Sequence, residues 1–184
     1  MFPAFKEWHV IVEALGSGEQ IIILRKGGIA EARGGFDAAR AGRFWLFPTH
    51  FHAQREKTKP AAARWFPADP AAIADAGVIT LRYFADIVEH RFINDRDTVA
   101  ALTPHHFWTE EAVREKFDWS HPPGLHVFVV RVHRLHTPFT LPLTPEMGGC
   151  KSWIELPIAF DAQPSTPVLD DATFAAQSAP LASA

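Results

Sequence analysis

Leu125-His126-Val127-Phe128-Val129-Val130-Arg131-Val132-His133-Arg134-Leu135 reads as one long β-strand, because β-branched and aromatic side chains fit a pleated surface. It is apolar at every position over residues 127–130, as a strand buried on both faces must be, and it alternates from Arg131 onward as it emerges. A strand of that kind sits in the middle of a sheet. Working outward, residues 78–93 are rich in Val, Ile, Phe, Tyr and Thr and predict one bent strand or two shorter ones. Residues 19–26, 43–47 and 152–156 predict shorter strands, the second of them stopped by Pro48. Strands outnumber helices without alternating with them. The expected class is therefore α+β, a mostly antiparallel, barrel-like sheet with short flanking helices.

Phe5, Trp8, Ile11, Val12 and Leu15 recur at spacings of three and four, with Pro3 ahead of them and Gly16 and Gly18 behind, which predicts an N-terminal amphipathic helix. Residues 95–102 and 109–117 predict two short helices, the second with Thr109 as N-cap and Glu110 and Glu111 in its first turn. Residues 27–42, rich in glycine, predict a long loop or wide hairpin. Residues 53–76 shift to Lys, Ala and Pro and predict an exposed excursion with a short helix over residues 71–76. On this reading residues 1–160 form one globular domain. Residues 161–184 are an Ala/Pro/Ser-rich tail, with the composition of a disordered segment from Ala175.

The 184 residues are 47% hydrophobic, enough for one sizeable core. A single cysteine, Cys150, excludes an internal disulfide, and the N-terminus lacks a charged-then-apolar leader, so a cytoplasmic location is expected. No apolar run approaches membrane-spanning length. Net charge is −3, but residues 1–64 carry a net +4 and residues 65–184 a net −7. That polarity allows local contact with phosphate while opposing strong non-specific adhesion to nucleic acid.

Arg25 and Lys26 close the strand Ile21-Ile22-Ile23-Leu24 and precede Gly27-Gly28, offering a planar fork and a point charge beside backbone that can approach a ligand. The alternative is a solvated strand end paired with Glu19 or Glu31. Lys151, Ser152 and Trp153 place a cation, a hydroxyl and a large ring in one short stretch, which could grip a base or instead seat Trp153 in the core. His50 and His52 would share a face of an extended segment, yet no third ligand is evident, so neither a metal nor a cofactor is expected. No lysine follows an acidic residue at the restriction-nuclease spacing, and neither a phosphate-binding loop nor a serine elbow is present.

Ala4-Phe5-Lys6-Glu7-Trp8, Leu24-Arg25-Lys26-Gly27-Gly28-Ile29 with Glu31, Phe47-Pro48-Thr49 with His52, Leu102-Thr103-Pro104-His105-His106-Phe107-Trp108, Gly149-Cys150-Lys151-Ser152-Trp153 and Thr166-Pro167-Val168-Leu169-Asp170-Asp171 together resemble the bacterial family called domain of unknown function 1802. The chain departs from that pattern at Phe51 and Ala53, which flank His52 where a Glu and a Gln would be expected. The resemblance implies a loose tie to restriction-type nucleases and to DNA modification or defence. More distantly, Trp8, Ala14-Leu15, Gly18 and the cation-tipped strand resemble the pseudouridine-synthase-and-archaeosine-transglycosylase-like barrels, including the activating-signal-cointegrator-homology branch. That likeness implies a cleft able to take a flipped base. The amidohydrolase branch would carry a Lys and a Thr just after the glycine, where this chain has Glu19-Gln20-Ile21-Ile22.

The functional expectation is a binding module for a nucleotide or a modified base in nucleic acid. Arg25 and Lys26 would meet phosphate or a base edge, Thr49 and Ser152 would hydrogen-bond the base, and Trp8 or Trp153 would stack on it, with His52 and Lys151 on the same rim. One alternative is a small hydrolase or transferase using Lys26, Glu31, His52 or Cys150 in the same cleft. Another is a protein-interaction subunit of a restriction-type nuclease.

Overall fold

A computed structural model describes residues 1–26, 42–50, 54–68, 77–119, 121–149 and 151–183. Seven strands form one curled sheet: β1 (Phe2–Trp8), β2 (Ile22–Lys26), β3 (Arg43–Thr49), β4 (Val78–Ile93), β5 (Leu125–Pro142), β6 (Trp153–Leu156) and β7 (Ser165–Pro167). Their order is β2-β5-β4-β3-β1-β6, with β7 also on β5. Only β1 and β3 run parallel; the other pairings are antiparallel. The sheet is accordingly mostly antiparallel, and the class is α+β.

β5 is central, as its double-sided apolar run requires. It pairs with β4 along nearly its whole length, while β2 and β7 share its other edge. Register shifts at Leu81/Tyr83 and Ile87/Glu89 bend the β4–β5 ribbon, since a bulge adds local twist. Adjacent residues of β3 point to opposite faces, and each face finds a core. Phe44 and Leu46 join the large cluster with Phe5, Ile11 and Val130, whereas Trp45 and Phe47 join a smaller one with Leu81, Phe84 and Leu156. The indole N–H of Trp45 donates to Ile158 O at 3.0 Å, which satisfies the polar end of a buried ring.

The N-terminal helix is shorter than its spacing predicts: Phe2–Trp8 is a strand, and α1 covers only His9–Gly16. Helix-like apolar spacing of three from Phe5 to Ile11 competes here with strand pairing on both edges, to β3 and to β6, and the long-range ladder wins over local propensity. Pro48 does not end β3, which continues to Thr49. β4 leaves β3 after Trp45, so beyond that point a missing N–H on that edge breaks no ladder.

Among the described residues the other α-helices are α2 (Gln54–Lys57), α3 (Arg96–Ala101), α4 (Glu110–Asp118) and α5 (Asp171–Ser178). Asp95 caps α3 by accepting from Thr98 N at 2.7 Å, and Thr109 caps α4 by accepting from Ala112 N at 3.2 Å. The stretch read as a tail carries β7 and α5, with Asp170 accepting from Thr173 N at 2.7 Å as its cap. Phe174 and Leu181 lie in the large core cluster, two apolar anchors that an Ala/Pro/Ser-rich composition conceals. All but Gly42 of the loop expected over residues 27–42, and the short helix expected over residues 71–76, fall outside the described residues, as do Glu31, His52 and Cys150. No described helix is long and apolar enough to cross a membrane.

Candidate functional site

Because β1 is a strand, Phe5 and Glu7 share one face, and Glu7 is drawn into the protein with only 6% of its surface exposed. Its Oε1 accepts the backbone N–H of Trp8 at 2.7 Å. Burial pushes the carboxyl pKa up; the positive fields of Lys116 and Arg25 and the Trp8 N–H oppose the rise without cancelling it. A buried carboxylate with one short-range hydrogen bond is costly, and such groups concentrate at working sites.

Lys116 and Arg25 act on it, and Lys26 stands next to them. β2 ends with the Arg25 guanidinium 5.1 Å from the centre of the Phe5 ring and the Lys26 ammonium 3.9 Å from that of Trp119. Lys116 comes from α4, on the side of the helix that carries Ala112, Val113 and Phe117 into the core. Its ammonium lies 3.9 Å from the Trp108 ring and 6.0 Å from the Trp8 ring. Burial lowers the Lys116 pKa, Glu7 resists the change, and the like charges of Lys26 and Arg25 add to it. Each cation therefore sits over an aromatic face, where the ring quadrupole offsets part of its lost hydration.

The rings form a connected set. Trp8 packs on Trp108 at 4.5 Å, and Phe5 on Trp153 at 4.8 Å. Trp153 also meets Phe44 edge-on at 5.2 Å. The cationic end of β2 and the tryptophan of β6, strands at opposite ends of the sheet order, thus meet through Phe5 because the sheet curls. Trp119 is 61% exposed. Trp108 is buried, and its indole N–H has no partner among the described residues.

Arg25, Lys26, Trp8 and Trp153 are accordingly gathered at one end of the sheet. Thr49 serves the scaffold: its hydroxyl donates to Glu7 O at 3.0 Å, and its own carbonyl accepts from Gln54 Nε2 at 2.6 Å. Ser152 O accepts from Lys6 N at 2.8 Å, and Lys6 Nζ donates at 2.8 Å to Met147 O and Gly149 O, securing the approach to β6. Lys151 is exposed, with its charge felt by Glu146. His52 lies outside the described residues. Glu7, Lys116, Trp108 and Trp119 were not singled out from the sequence. The signal for Glu7 was a carboxylate two residues from Phe5 in a strand; for Lys116 it was a cation on the apolar side of a helix.

A separate cavity of about 290 Å³ is lined by His9, Glu13, His50, Arg82 and Tyr83 among apolar residues. The His9 and His50 rings lie 4.7 Å apart, and burial lowers both pKa values. Among the described residues no group of three or more His, Cys, Asp or Glu could hold a metal ion.

The chain belongs to the DUF1802 family, a domain of unknown function whose family model matches residues 4–180. Among solved structures it is similar to ASCH from Zymomonas mobilis, at 15% identity and a TM-score of 0.47, covering 84% of this chain and 86% of that one. Two single-site mutants of that protein match at the same identity and TM-score, covering 84% of this chain and 87% and 88% of theirs. Comparison with curated proteins finds no match.

Proposed function

We propose that this member of the DUF1802 family is a binding module for a nucleotide or for a base, modified bases included, presented by nucleic acid. The observation that carries this reading is the gathering of Arg25, Lys26 and Lys116 with the rings of Trp8, Trp119 and Trp153 at one end of the sheet. Cations suit phosphate, and flat rings suit a base whatever its sequence context. In this assignment Arg25 and Lys26 meet the phosphate, and the partly exposed Trp8 or Trp153 stacks on the base. Tryptophan fluorescence titration and filter binding with modified and unmodified oligonucleotides test it. The double variant Arg25→Ala/Lys26→Ala is expected to bind at least tenfold more weakly than wild type. Equal affinities would end the proposal.

A second reading, a hydrolase or transferase on a nucleotide-like substrate, is favoured by a different observation. Lys116 has a depressed pKa and feels the field of a buried carboxyl, the setting in which an amine becomes a nucleophile or base. Its sign would be acylation of Lys116 by an activated acyl ester well ahead of the other lysines, read by peptide mass spectrometry. A uniform rate across the lysines removes it.

A further inference from the structure

Phosphate contact and stacking leave Glu7 without a role, although its burial is the least favourable arrangement at this end of the sheet. We infer that Glu7 reads the edge of the bound base and selects a guanine-type edge, one with two adjacent N–H groups. This rests on the nucleotide-binding reading above.

The chemistry follows from what a carboxylate can do. Ionised, it only accepts hydrogen bonds, through two oxygens. Oε1 already takes the Trp8 N–H at 2.7 Å. Among the described residues the Trp8 N–H is the one hydrogen bond that the carboxyl receives, and no ion pair holds it. A structural glutamate buried to this depth would be expected to carry a fork from an arginine or several donors. Glu7 instead has cations that act on it through their fields, Lys116 before Arg25. Those cations allow a carboxylate to coexist with an anionic ligand, because they offset the repulsion that phosphate would otherwise meet.

Among the ordinary bases, guanine presents N1–H and the N2 amino group side by side, matching two carboxylate oxygens. Adenine and cytosine place an amino group next to a bare ring nitrogen, whose lone pair would face a carboxylate oxygen. Uracil offers a single N–H between two carbonyl oxygens. Removal from water makes each mismatch expensive, since an unmet polar group in a buried site loses its hydration without replacement. The half-buried Trp8, whose ring lies 6.0 Å from the Lys116 ammonium that also acts on Glu7, offers a flat face for such a base.

Isothermal titration of the full chain with GMP, IMP, AMP, CMP and UMP tests the inference, together with uridine pentamers carrying one central guanosine or inosine. Inosine differs from guanosine by the loss of the N2 amino group alone. Wild type is expected to bind GMP at least tenfold more tightly than IMP, with the same order in the pentamers. Glu7→Gln, which keeps the shape but exchanges an acceptor for a donor, and Glu7→Asp, which keeps the charge but withdraws it by one methylene, are each expected to abolish the preference for GMP over IMP, weakening GMP, which loses two contacts, more than IMP, which loses the N1–H contact alone. Equal affinities of wild type for GMP and IMP, or a guanine preference that survives both substitutions, overturns the base-edge role and leaves nucleotide binding standing. Absence of binding to every one of these ligands ends both.

Discussion

Two places in this molecule set a carboxylate among cations and rings, and they do so in opposite ways. On β3, β4 and β5, Asp86 accepts a two-pronged fork from Arg43, at 2.6 Å on Oδ1 and 2.9 Å on Oδ2, and a third contact from His133 Nε2 at 3.0 Å. The His133 ring stacks on Phe84 at 4.7 Å, and the Arg43 guanidinium lies 4.8 Å from the same ring. Burial alone would raise the Asp86 pKa, but Arg43 and His133 together outweigh it and the net shift is downward. At Glu7 the same kinds of group are present, the fork is missing, and the net shift is upward. A satisfied carboxylate is cross-strand structure. An unsatisfied one, kept buried beside cations, is the kind of group that the proposed base-edge role would use.

The largest effect expected from this contrast concerns a third ionisable group, the buried His106, whose charged neighbours are cations of its own sign. Burial, helped by the Lys59 charge, pushes its pKa down from 6.5 to about 3. The native state therefore binds fewer protons than the unfolded chain between these values, so stability is intact above pH 6.5 and falls as the pH drops toward 3, by about 4 kcal/mol over the window. Urea unfolding at stepped pH should show this slope in wild type and lose it in His106→Phe. An unchanged slope would mean that His106 is not held neutral.

Next in size, Arg25→Ala/Lys26→Ala should weaken nucleotide binding at least tenfold, about 1.4 kcal/mol, while Arg43→Ala leaves binding within twofold. Both Arg25 and Arg43 stand over rings, so an equal loss from the two variants would erase the distinction between site and scaffold. For folding, Asp86→Ala should cost about 1.5 kcal/mol, a figure reduced for partial exposure, because it strands Arg43 and His133. Since the folded pKa of Asp86 is depressed, its contribution is present above the ordinary carboxylate value and disappears as the pH falls through the folded value.

The smallest effect has the opposite sign. Glu7→Gln should stabilise the fold by about 1 kcal/mol at pH 7, as removing a buried carboxyl whose cations and single hydrogen bond do not cancel its desolvation does. The native Glu7 holds its proton to higher pH than the unfolded chain, so its favourable term is complete below the ordinary glutamate pKa and is lost as the pH rises through the raised value. Thermal melts of wild type and Glu7→Gln should accordingly converge toward pH 4. A destabilised Glu7→Gln at pH 7 would place Glu7 with Asp86, as scaffold.

Much of the frame was legible because it is locally encoded. The apolar run of β5 names a central strand, the β-branched run of β4 names a second long strand, and Thr109 announces a helix start through its own side chain. Arg25 and Lys26 could be found as candidates because a cation pair ending an apolar strand is a local pattern. Their companions could not be found this way. Lys116 is 90 residues further on, and it meets Lys26 and Arg25 only because α4 packs beside β2. Thr49 was expected to face a ligand, but its hydroxyl is taken by the backbone of β1, a pairing visible only once the parallel register Trp8↔Thr49 exists.

The sequence by itself determined a strand-rich α+β chain with a central β5, capped short helices and a cationic strand end, because each of these follows from side chains and their immediate neighbours. Tertiary structure decided that Phe2–Trp8 is a strand, that Glu7 points inward, and that the tail-like residues past Pro157 lend Phe174 and Leu181 to the core. The physical reason is the same in each case. Helix-like apolar spacing and an Ala/Pro/Ser-rich composition are weak local preferences, and partners supplied by residues 43–49 and 153–156, or by a core already formed, outweigh them.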